Sequence, residues 1–149
     1  MDKYLLGLAG ETRVCAELLK KGFHASIVIG NAKATDIVIT NDKNKFLRIE
    51  VKTTQKGRKF VTGFYPKYTD SSKLRPNLWV FYLPDKTMST GGDRFFIASH
   101  EKVGEIQLLV NKGSKTAQGE GVDNIPLKFL EDHQCEDDWA VIATALADI

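Results

Sequence analysis

Two short apolar runs, 35–40 and 46–52, flank the polar stretch Asn41-Asp42-Lys43-Asn44-Lys45. No other segment limits the fold of this chain so strongly. Alternating apolar residues on either side of an Asn/Asp cluster read as a β-hairpin. With the turn centred on Lys43, Asp36 lies directly opposite Glu50, and opposed residues on one sheet face have Cβ atoms roughly 4.5–5.5 Å apart. Lys52, two residues beyond Glu50, projects from the same face, whereas Ile37, Ile39, Leu47, Ile49 and Val51 point the other way into a core. Two carboxylates and an ammonium held on rigid strands are the ingredients of a divalent metal site with an adjacent cation. The plainer alternative is a half-solvated sheet with one polar face.

The first twenty or so residues carry a helical period that stops at Lys20-Lys21-Gly22, cations in the last turn and a glycine just beyond. On a wheel of about 100° per residue, Val14, Leu18, Cys15, Leu8 and Leu19 fill one arc. Arg13, Glu17, Lys20, Lys21 and Lys3 lie toward the other side. Glu11 falls inside the apolar arc, where an unpaired carboxylate is costly. Three explanations stand: it pairs with a buried cation, it ligates or orients a metal, or it lies near a late, exposed helix start. Joint use with Asp36 and Glu50 is favoured if this helix covers the hairpin's sheet.

Beyond the hairpin, Leu78–Pro84 is a continuous apolar run that reads as a buried strand, and Arg94–Ser99 reads as its neighbour. Ser99 is placed as the N-cap of a short helix ending at Gly113. Residues 111–124 are rich in Gly and polar side chains and predict a flexible loop. Asn124 and Pro126 fall near a helix start. Glu136-Asp137-Asp138 would load the first turn of a last helix, with Trp139, Ile142 and Leu146 as its buried stripe. His24, His100 and His133 have no partner at metal-ligand spacing and read as surface or turn residues.

A chain of 149 residues suits a single domain, 1–149, with a substantial core. No apolar run approaches transmembrane length, the N-terminus lacks signal-peptide architecture, and Cys15 and Cys135 suggest no disulfide framework. A soluble protein of the reducing cytoplasm, with no membrane partner, is expected. The net charge of +2 conceals an asymmetry. Residues 43–75 hold ten Lys/Arg against Glu50 and Asp70, a local charge of +8, while the remainder has eleven Lys/Arg against seventeen acids. Lys56, Arg58, Lys59, Lys67, Lys73 and Arg75 belong to this stretch, with Phe60, Phe64, Tyr65 and Tyr68 interleaved. A basic stripe beside a metal site suits a phosphodiester backbone. A solvated surface loop is the alternative.

The order of helix with Gly10-Glu11, strand, Asp36 strand and Glu50-x-Lys52 strand resembles the core of the PD-(D/E)XK nuclease superfamily, over about the first half of the chain. The wording "LLKKGFHASIV" and "IEVKTT" is similar to that of small resolvase-like and restriction-endonuclease-like members, with Thr35 in place of the motif's proline. The resemblance implies an α/β restriction-endonuclease-like three-layer core, a central mixed sheet flanked by helices. It further implies that Asp36 and Glu50 bind Mg²⁺ or Mn²⁺ with the Val51 backbone carbonyl. Lys52 would position the attacking water and stabilise charge on the phosphate. Glu11 would complete the outer metal shell or bind a second ion. Gln55 is either a further phosphate contact or an exposed loop residue.

The expected activity is therefore hydrolysis of nucleic-acid phosphodiesters by a DNA endonuclease, with RNA as the alternative polymer, since phosphate contacts carry no base or sugar identity. A homodimer fits a chain with so little surface for wrapping a duplex. The rival is a catalytically inactive copy of the scaffold that binds nucleic acid or protein.

Overall fold

The computed structural model describes residues 2–29, 35–55, 58–66, 75–87, 91–117 and 119–149. Helix α1 (Lys3–Lys20) starts where the Asp2 carboxylate accepts the N–H groups of Tyr4 and Leu5 at 2.8 and 3.3 Å. It ends as Gly22 turns the chain with φ +89°, a left-handed conformation that favours glycine. There follow β1 (His24–Ile27), β2 (Ile37–Thr40) and β3 (Phe46–Thr53), each antiparallel to the next. Ile37 pairs with Ile49 and Thr40 with Phe46, so the turn is centred on Lys43, as the sequence predicts. Asn41 Oδ1 closes that turn by accepting the N–H groups of Lys43 and Lys45 at 2.9 and 3.1 Å.

Strand β4 (Lys59–Val61) leaves this sheet, and β5 (Leu78–Leu83) and β6 (Arg94–Ser99) complete it in the order β1-β2-β3-β5-β6. Strand β5 runs parallel to β3 and antiparallel to β6. Its continuous apolar sequence is explained by burial on both faces: Leu78, Val80 and Tyr82 enter one core, Trp79 and Phe81 the other. After β6 come α2 (His100–Val110), β7 (Asn124–Pro126), which pairs with β4, then α3 (Leu127–Asp132) and α4 (Ala140–Ala147).

One face of the five-stranded sheet packs Ile37, Ile39, Leu47, Ile49 and Val51 against Val14, Cys15 and Leu18 of α1 and Ile142 of α4. The other face packs Trp79, Phe81, Phe96 and Ala98 against α2, α3 and the β4–β7 pair. The result is an α/β architecture with helices on both sides of a mixed sheet. Ser99 caps α2 by accepting the Lys102 N–H at 3.1 Å. Among the described residues no helix is long and apolar enough to cross a membrane.

Several local expectations are corrected. Leu8 and Leu19 of α1 are exposed, because the buried line runs through Gly10, Val14 and Leu18 instead. Helix α4 packs with α1 on one face of the sheet, whereas α2 and α3 cover the other. Asn124–Pro126 forms a short strand, and α3 begins directly after it with Pro126 as its N-cap, so these residues do fall near a helix start. Glu136-Asp137-Asp138 precede α4 rather than load its first turn, and Arg94 holds the Glu136 carboxylate at 2.7 and 2.9 Å. His100 is buried, its Nδ1 accepting the Trp79 indole N–H at 3.1 Å. Burial, reinforced by Arg75, keeps its imidazole pKa below the usual value.

Candidate functional site

Strand alternation places Glu50 and Lys52 on the sheet face opposite α1, beside their β5 neighbours Trp79 and Phe81. Helix α1 therefore does not cover the acidic face, contrary to the simplest expectation. Glu11 nonetheless reaches the cluster, because β2 begins only at Ile37 and leaves Asp36 just outside the ladder. The Asp36 N–H donates to the Ile49 carbonyl at 2.9 Å, and its carboxylate accepts the Val51 N–H at 2.8 Å. The Asp36 side chain thus takes a position that a strand carbonyl would otherwise fill. At this end of β2 the carboxyl groups of Glu11 and Asp36 are hydrogen-bonded.

The approach of α1 to β3 depends on Gly10. A Cβ there would stand 1.9 Å from Thr53 Oγ1 and 3.0 Å from Thr53 Cβ. Only a residue without a side chain lets the helix come so near. A glycine inside a helical run is the sequence signal for such close approach. Arg13, one turn further along, anchors the helix by donating from Nε to Asp93 Oδ2 at 2.9 Å. Glu11 is thereby delivered to the cluster by two fixed contacts on either side of it.

Lys52 Nζ lies 3.1 Å from Glu50 Oε1, with side chains 28% and 18% exposed. Burial raises the Glu50 pKa; Lys52 opposes the shift and Asp36 adds to it. For Glu11 the pKa is pushed up to about 7, first by burial, then by Asp36 and Glu50, against the pull of Lys52. Among the described residues one cation, Lys52, thus faces three carboxylates. Like charges gathered on a rigid frame hold on to a proton up to about neutral pH, and a divalent cation can displace that proton.

Asp36 and Glu50 provide hard oxygen donors, and Mg²⁺ is commonly bound through one or two carboxylates while retaining several waters. The donor chemistry therefore fits such an ion. Among the described residues no group of three His, Cys, Asp or Glu side chains stands as a ready ligand set. The same oxygens are engaged with one another, with Lys52 and with the Val51 N–H.

The other expected residues fall in three places. Gln55 is exposed just past the end of β3. Arg58 and Lys59 are exposed at the start of β4, whose Phe60 packs edge-on against Phe81, the strand partner of Lys52, with ring centroids 5.2 Å apart. Arg75 precedes β5 at the Arg48 end of β3, six residues along the strand from Lys52, or about 20 Å at strand rise. Lys56, Lys67 and Lys73 lie outside the described residues, as does Tyr68. The sequence reading missed Gly10 and Thr53 as the contact that sets the height of Glu11.

No protein family and no curated protein matches this sequence. A solved structure, that of the bacterial homing endonuclease I-Ssp6803I, is similar in fold, with a TM-score of 0.57 and 13% identity over 99% of this chain and 96% of that one. At that identity the likeness is one of fold. The five-stranded mixed sheet with flanking helices is a nuclease-like α/β fold.

Proposed function

We propose that this chain is a metal-dependent nuclease of the PD-(D/E)XK kind that hydrolyses phosphodiester bonds, with DNA as its polymer. The observation that carries the reading is the convergence of Glu11, Asp36, Glu50 and Lys52 from three separate elements at the open end of β2. A fold shared with a homing endonuclease supports the same direction and makes DNA the first substrate to test.

In this reading Asp36 and Glu50, with the Val51 carbonyl, hold Mg²⁺ or Mn²⁺, and Glu11 serves the outer shell or a second ion. Such an ion, when bound, polarises a phosphoryl oxygen and lowers the pKa of a coordinated water. The Val51 N–H keeps the Asp36 carboxylate from swinging away. The Lys52 ammonium, a compact point charge suited to phosphate, orients the attacking water and balances charge that develops on the phosphate. Gln55, Arg58 and Lys59 flank that side, and Lys56, Lys67, Lys73 and Arg75 extend the basic segment through which the backbone would be held.

A second reading has its own support. The Glu50–Lys52 ion pair and the Glu11–Asp36 hydrogen bond satisfy these groups without any ion, as in a scaffold that binds nucleic acid or protein and does not cut. Titration calorimetry with Mn²⁺ separates the two. Wild type is expected to bind the ion at millimolar concentration or below, and Asp36→Ala and Glu50→Ala to lose that binding. Incubation with linear, branched, single-stranded and RNA substrates in Mg²⁺ or Mn²⁺ then identifies the polymer. Absence of divalent binding to the wild type removes the nuclease reading.

A further inference from the structure

We propose that the outer face of α1 is a dimer interface on which a second copy of this chain seats its own α1, antiparallel. Leu5, Leu8, Ala9, Thr12, Ala16 and Leu19 lie on one side of the helix. Placed at about 100° per residue, they fill an arc roughly 100° wide, the width of a core-facing stripe. That arc points away from the buried line of Gly10, Val14 and Leu18, so α1 carries a second apolar stripe that stays exposed among the described residues. Leu5 is 55% exposed, Leu8 44% and Leu19 54%. Leu5, Ala9, Thr12, Ala16 and Leu19 alternate in steps of four and three, the spacing of a helix–helix seam.

The stripe complements itself. With a two-fold axis at Thr12, an antiparallel pair sets Leu5 against Leu19 and brings Leu8 beside that same Leu19, each contact occurring twice as an isologous interface requires. Thr12 makes no polar demand on a second copy, because its Oγ1 donates to the Leu8 carbonyl at 2.7 Å and leaves its methyl group free for packing. Charge also favours this direction. Asp2 and the positive end of one helix dipole meet Lys20 and the negative end of the other.

The arrangement has a consequence for the carboxylate cluster. A two-fold axis perpendicular to the plane of both helices keeps a residue on its own flank of the pair. Glu11, about 100° around the helix from Thr12, therefore appears on the same flank in both copies. The two clusters open on one side of the dimer, the side on which one duplex could meet both. An 18-residue helix is about 27 Å long, so the buried area falls at the lower end of stable interfaces. The dimer should accordingly depend on concentration.

Sedimentation velocity on the full chain, without metal or nucleic acid, tests this apart from any catalytic role. Wild type is expected to move from monomer to dimer between micromolar and near-millimolar concentration. Leu5→Glu and Leu19→Glu should remain monomeric across that range, with an unchanged circular dichroism spectrum because both positions are exposed. A short bismaleimide should cross-link a mixture of Leu5→Cys and Leu19→Cys chains, but not Leu5→Cys alone. A wild type that stays monomeric overturns the proposal, as does a dimer that survives Leu19→Glu. Efficient cross-linking of Leu5→Cys to itself would mean parallel helices and overturns it too.

Discussion

Among the described residues, the polar cluster around Gln107 and the one around Asp36 are built on opposite terms. Around Gln107 of α2, the side-chain amide donates to the carbonyls of Val122 and Asn124 at 3.2 and 3.0 Å, and its oxygen lies 2.8 Å from Thr62 Oγ1. Asn111, one turn later, donates to Gln107 and Val122 carbonyls and accepts the Val122 N–H at 2.8 Å. Neutral donors and acceptors are matched there, and the network ties segment 111–124 to the helix. Around Asp36 the groups are charged, of mainly one sign, and short of compensation, so that burial and repulsion hold the Glu11 pKa near 7. A satisfied neutral network holds a fold together. A cluster left electrostatically uneasy is available for a cation, a proton or a reacting phosphate.

The contrast can be broken in three ways. The largest expected effect is on turnover: Lys52→Ala should slow nucleic-acid cleavage by about 10²–10³-fold, the scale for losing one positioned group that stabilises transition-state charge. Mn²⁺ binding and the melting temperature should persist. Unchanged turnover would remove Lys52 from the mechanism. Next, Gln107→Ala should lower the unfolding free energy by about 3 kcal/mol, because several buried partners lose their hydrogen bonds at once. Urea denaturation measures this, with Mn²⁺ affinity as the control that should not move. A loss well under one kcal/mol would mean that the network contributes little to stability.

The smallest effect concerns Glu11, and its sign follows from linkage. The folded-state pKa of about 7 lies above the ordinary value of 4.5 for a glutamate side chain, so the folded protein binds the proton more tightly than the unfolded chain does. The stability associated with that proton is fully present below the unfolded value and is lost as pH rises through about 7. Glu11→Gln mimics the protonated form and can still donate to Asp36. Its melting temperature should match wild type at pH 4 and exceed it at pH 8, in metal-free buffer. A gap that does not grow over that interval would mean that Glu11 is not held protonated by its neighbours.

What was legible in the sequence had local causes. The alternation of Ile37, Ile39, Leu47, Ile49 and Val51, with Asn41 closing a short turn, sets a register that needs no other part of the chain. That register alone places Asp36 near Glu50, and alternation sets Lys52 beside Glu50. The N-cap at Ser99 and the stop at Gly22 are likewise written within a few residues.

Tertiary structure decided the rest. A helical wheel cannot say which of two apolar arcs on α1 will be covered, and the close contact of Gly10 with Thr53 chose the one through Val14 and Leu18. Nor does the period of β3 reveal that Glu11 would come from the opposite side of the sheet and meet Asp36 at a strand end. The burial of His100 and the strand at Asn124–Pro126 likewise depend on partners far along the chain, Trp79 and β4. Periodicity reports which side of an element is apolar, because that is a property of neighbouring residues. Only packing decides which partner that side meets, and it was packing that drew three carboxylates and one lysine together.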